Sequence, residues 1–177
     1  MSTAEPTAAP APTRSVTAQV LEDGLFAGSI GAGVVAVWYL ILDSIAGRPL
    51  FTPALLGSVL FRGATDAASV VIDPQIVAWY TAVHFLAFLG VGIIASWLAT
   101  QFDRFPSVGV AILFLFVLFE TMFFVFAFAA GRIVLGTLGL WTIAVANLLA
   151  AAGMALYLLR RHPNALRNMN RIWTDQE

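Results

Sequence analysis

A chain of 177 residues with 60% apolar and only 11% charged residues, a formal charge of −1 and a mean hydropathy of +0.88 reads as a membrane protein, because soluble domains carry roughly 25% charged residues. The near-neutral balance offers no electrostatic footprint for nucleic acid. With no cysteine and no lysine, the chain is barred from disulfides, thiolate metal ligands, thioether-linked haem and cysteine nucleophiles, and from Schiff-base or P-loop chemistry.

The chain opens on an Ala/Pro/Thr-rich stretch without apolar period, and residues 1–23 are expected to be a disordered cytoplasmic tail. The first apolar segment, "GLFAGSIGAGVVAVWYLILDSIAG", covers 24–47. It is longer than the ~7–15-residue core of a signal peptide, and acidic Glu22 and Asp23 precede it, so it reads as a retained span. Gly24, Gly28, Ala32 and Ala36 recur every four residues along it, a small-residue stripe suited to close helix packing. Tyr39 and Asp43 continue roughly along that stripe, one turn apart. In the connection 48–74, Thr52 reads as an N-cap and Pro53 as the first helical residue of a short helix over 53–62. That helix is too short to cross and is expected at the outer interface or in the bundle mouth.

Three further apolar segments follow, at 75–100, 107–131 and 136–159. Each supplies the ~20 residues that a helix needs to cross the hydrocarbon. No proline interrupts any of the four; Pro49, Pro53, Pro74, Pro106 and Pro163 punctuate the joints. Residues 24–160 therefore read as an all-α, four-helix transmembrane bundle. In the basic tail 161–177, Leu166, Met169, Ile172 and Trp173 share a face, with Arg167 and Arg171 off it. This pattern predicts an interfacial helix near 163–173 and assigns Arg160, Arg161, Arg167 and Arg171 to anionic lipid.

Arginine placement sets the orientation. Four spans put Arg14, Arg104, Arg160, Arg161, Arg167 and Arg171 on one side and Arg48, Arg62 and Arg132 on the other. The expected location is a bacterial inner membrane, multi-pass, with both termini cytoplasmic.

Ionisable groups inside spans cost several kcal/mol and usually face a partner or a cavity. Here they are Asp43, His84 and Glu120, with Asn147 as a neutral companion. Counted from the outer ends of their spans, His84, Glu120 and Asn147 lie roughly 13–17 Å deep. They form an expected polar layer, with Asp43 and Tyr39 nearer the outer end. His84 is expected to hydrogen-bond Glu120, Asn147 or both.

His84, Glu120 and Asp43 make a thin ligand set without metal-binding spacing, so no metal is assigned. No cofactor is favoured; a quinone among the aromatic residues, or a haem shared by two copies of His84 across a dimer, are minor readings. A proton or solute route would step through Glu120, His84 and Asp43, but the cytoplasmic halves of the spans hold no ionisable residue to continue it. No nucleophile elbow, nucleotide loop or catalytic triad pattern is present, and nothing points to an enzyme.

"AGRPLFTPALLGSVLF", residues 46–61, resembles a stretch found in a family of small bacterial four-span membrane proteins without known activity. The resemblance in hydropathy runs over about 24–160. It implies a turn and capped helix start at Gly47, Arg48, Pro49, Thr52 and Pro53, and transfers no functional residue. The leading expectation is a non-enzymatic structural or accessory subunit of a membrane complex, in contact with the bilayer and with partner proteins or further copies. A quinone-, lipid- or cofactor-binding protein using the His84/Glu120/Asn147 layer is the first alternative, and a small-solute or proton transporter the second.

Overall fold

The computed structural model describes residues 15–102 and 132–162. The third apolar segment with Glu120, the residues up to Arg14 and the tail beyond His162 with Arg167 and Arg171 lie outside them. Among the described residues the fold is all-helical. It runs α1 (Val16–Ile45), α2 (Phe51–Arg62), a 3-10 turn (Ala67–Ser69), α3 (Pro74–Phe102), α4 (Arg132–Leu138) and α5 (Leu140–Arg161). α1, α3 and α5 are each long and apolar enough to cross a membrane.

α1 starts earlier than its apolar stretch. The Ser15 side chain accepts from the Ala18 amide at 3.2 Å, an N-cap that lets residues 16–23 join the helix instead of a disordered tail. Propensity alone could not show this, because Asp23 is held by tertiary contacts described below.

α1 packs against both α3 and α5, and the three share a core of Ala27, Phe88, Val91, Met154 and Leu158. Both α3 and α5 run antiparallel to α1. Gly24 of α1 abuts Ile93 of α3, Gly28 abuts Phe88 and Leu89, and Ala32 abuts His84. Asp23 meets Arg161 of α5, Gly31 meets Met154, and Trp38 meets Thr142. The α1–α3 seam closes backbone to backbone at glycines. A Cβ on Gly92 would run into the Gly24 carbonyl and the Gly28 nitrogen. The stripe ends earlier than its spacing suggests: Gly24, Gly28 and Ala32 are buried, but Ala36 is exposed. Four-residue steps drift around a 3.6-residue helix, and by Ala36 the stripe has left the seam.

α2 is tucked into the mouth of the bundle. Phe51, Ala54, Leu55 and Gly57 are buried, and Gly57 lies against Ile76 and Tyr80 of α3. The last span also differs from its expected form. Gly139, at φ 74°, breaks it into α4 and α5, and the Thr142 hydroxyl donates to the Leu138 and Gly139 carbonyls that the break leaves open.

Candidate functional site

Polar side chains gather at three depths. At the end of the bundle that α2 closes, Asp43 in the last turn of α1 is buried. Its Oδ2 accepts from the Thr52 amide at 2.7 Å and its Oδ1 from the Thr52 hydroxyl at 2.7 Å. Thr52 therefore does not cap its own helix. The N-cap position is Leu50, which makes no side-chain cap bond, and the carboxylate comes from α1 instead. Gly47 and Leu50, at φ 71° and 68°, turn the chain sharply enough to bring Thr52 back over Asp43.

Beside this joint lies a cavity of about 210 Å³, lined by Tyr39, Asp43, Arg48, Phe51, Thr52, Thr137 and Thr142 among others. Tyr39 is buried one turn below Asp43, beside Thr142. The Arg48 guanidinium lies over the Phe51 ring, 3.9 Å from its centroid, a cation–π contact. A larger groove of about 500 Å³ along α1, past Ser29, Gly33, Val37 and Leu149, is almost wholly apolar and contains none of these groups.

At mid-depth, His84 Nε2 lies 3.3 Å from the Ala32 carbonyl of α1. A carbonyl only accepts, so Nε2 carries the proton in this pairing. The ring packs on Phe88 at 4.8 Å between centroids and on Tyr80 at 5.9 Å. The bond depends on the glycine seam, which brings α3 close enough for an imidazole to reach main chain. His84 does not bond Asn147 directly. Asn147 is half-buried on α5, one position off the face of Ala146 and Ala150 that meets α1, and is engaged elsewhere. Among the described residues the hydrogen bond of His84 goes to main chain, and its expected contact with Glu120 lies outside them.

At the other end, Asp23 is fully buried. Its Oδ1 accepts from Arg161 Nε at 2.7 Å and from the Tyr157 hydroxyl at 3.3 Å. Its Oδ2 lies 3.6 Å from Nε2 of buried His162. Glu22 adds a long contact to Arg161 at 3.9 Å. Sequence reasoning missed this cluster, placing Asp23 in the tail and Arg161 on lipid. Arg161 ties α5 to α1 while its side chain, like that of Arg160, stays exposed. One signal was available: an acid before the first span and a base after the last share a side whenever the span count is even.

No group of three metal-ligating side chains occurs among the described residues. Compared with known proteins, the chain matches no family model, no curated protein and no solved structure.

Proposed function

We propose that the chain is a four-span integral membrane protein of the bacterial inner membrane, with both termini cytoplasmic, that serves as a non-enzymatic structural or accessory subunit of a membrane complex. The observation that carries this reading is the use made of its polar residues. Asp23 fastens α1 to α5, His84 fastens α3 to α1, and Asp43 fastens α1 to α2. Polar groups kept in an apolar bundle for such joints fix the register and pairing of helices that otherwise share one apolar surface.

The membrane reading is supported by large exposed side chains along the long helices, among them Phe26, Leu86, Ile94, Trp97, Leu148 and Leu156. A soluble monomer rarely presents so much contiguous apolar surface. Four crossings are supported by helix direction. α3 and α5 both run against α1, so Phe102 and Arg132 lie at opposite ends of the bundle, and the apolar stretch 107–131 between them is long enough to cross.

Extraction in mild detergent tests the role. A stoichiometric membrane partner that is lost when His84→Leu loosens the bundle is the expected result. A chain that leaves the membrane alone, with no partner captured by in-membrane cross-linking beforehand, would sink the accessory reading. The mouth cavity favours the alternative of a ligand-binding membrane protein.

A further inference from the structure

We propose that the outer-end cavity holds the headgroup of an anionic phospholipid bearing free hydroxyls, with its phosphate on Arg48. The inference rests on the membrane reading above and goes beyond it.

Depth comes first. Twenty helical residues separate Asp23 from Asp43 in α1, a rise of about 30 Å, the thickness of the hydrocarbon. With the Asp23 cluster at one boundary, Asp43 and Arg48 sit at the other, at the level of lipid phosphates. Arg48 is already arranged for such a contact. Its ring platform, Phe51, is itself buried. Its amide donates to the Asp43 carbonyl at 2.8 Å and its carbonyl accepts from the Phe51 amide at 3.1 Å. The backbone of Arg48 is thus tied into the turn with its guanidinium over Phe51, and a guanidinium makes bidentate contacts with phosphate.

Charge points the same way. Arg62 is paired with Asp73 and Arg161 with Asp23, whereas Arg48 makes no ion pair among the described residues. The carboxylate that shares the cavity, Asp43, has both oxygens engaged by Thr52. With Arg48, the hydroxyl-bearing residues Tyr39, Thr137 and Thr142 line the cavity. The Thr142 hydroxyl donates to main chain and also meets Tyr39, so toward an incoming group it can only accept, and a glycerol headgroup supplies a donor. Size narrows the ligand further. About 210 Å³ is below the ~300–1,000 Å³ of sites for drug-sized molecules and suits a headgroup with its chains left in the bilayer.

The test measures retained lipid by native mass spectrometry and thermal midpoint in detergent micelles. The probes are phosphatidylglycerol, phosphatidylcholine, glycerol 3-phosphate and inorganic phosphate, applied to the full chain. Phosphatidylglycerol should bind and protect best, and Arg48→Gln should weaken its binding about tenfold, the loss expected for one charge-assisted contact. Arg48→Lys should retain part of the affinity, and Arg62→Gln should leave it unchanged. If Arg48→Gln proves unstable, Thr137→Val serves as the second variant and should also weaken phosphatidylglycerol. Wild-type binding by Arg48→Gln, or by Thr137→Val in its place, would overturn the proposal. Equal protection by either soluble phosphate would overturn the assignment to lipid. A chain that stays dispersed without detergent would instead fail the membrane reading itself.

Discussion

A methyl group at Gly28 measures how much the helix pairing depends on bare backbone. A Cβ at this position would strike the Phe88 carbonyl oxygen and sit 2.7 Å from the Leu89 Cα, where ordinary contact begins at 3.4 Å. Both obstacles are main chain of α3, so no rotamer change relieves them and the helices must part by about 1 Å. Overpacking of this kind costs about 1–3 kcal/mol. The His84–Ala32 bond lies one turn away at 3.3 Å, and parting the helices removes it, with a further loss of about 0.6 kcal/mol. Against this, alanine gains about 1 kcal/mol over glycine in helix propensity. The net expectation for Gly28→Ala is a loss of about 1–2 kcal/mol, and a larger one for Gly28→Leu. Gly90→Ala is the control, because Gly90 is an exposed position of α3 where a Cβ meets nothing within 4 Å among the described residues. It should be neutral or stabilising by up to about 1 kcal/mol. Reversible unfolding in mixed micelles reads both. Equal stability of the two variants would show that the seam does not need its glycines.

Arg161→Met strands a buried carboxylate and should cost about 3 kcal/mol, the lower end for a broken buried pair because Arg161 is partly exposed. Glu22→Gln, whose pairing is long and half-exposed, should cost under about 0.5 kcal/mol in the same unfolding assay. Leu50 holds a left-handed conformation at φ 68° with its side chain partly exposed, so Leu50→Gly should raise the thermal midpoint by the equivalent of about 1 kcal/mol, and a fall would refute backbone strain there. The hydrogen bond from Arg62 at 2.5 Å, with the Gln75 amide assisting, holds the exposed Asp73 carboxyl below the usual carboxylate range. A lowered folded value makes this pin present above the ordinary carboxylate pKa and lost as pH falls through the lowered one. Proteolytic nicking of the 62–73 connection should therefore rise in acid, and Asp73→Asn should nick equally across that range. Reporter fusions at Glu177 and within 62–73 should report opposite sides of the membrane, with Glu177 cytoplasmic; a periplasmic Glu177 would overturn the topology.

What the sequence determined by itself was set by composition and length. Apolar runs at 24–47, 75–100 and 136–159 had to become long helices, because an unpaired backbone cannot sit in an apolar medium, and α1, α3 and α5 cover nearly all of them. The close approach at Gly24 and Gly28 was legible too, since a missing side chain acts locally whichever helix arrives. Partnership was not legible. Asp23, in a stretch read as tail, became a fully buried anchor once α5 returned antiparallel and delivered Arg161 and Tyr157. Thr52, with every local sign of an N-cap, gave its amide and hydroxyl to Asp43, because the turn through Gly47 and Leu50 folds α2 back on α1. His84 was recognisable as a residue in need of a partner, yet its hydrogen-bond partner among the described residues is the Ala32 carbonyl. Every residue carries such a carbonyl, so no pattern of side chains could mark this one; only the distance between two packed helices selects it.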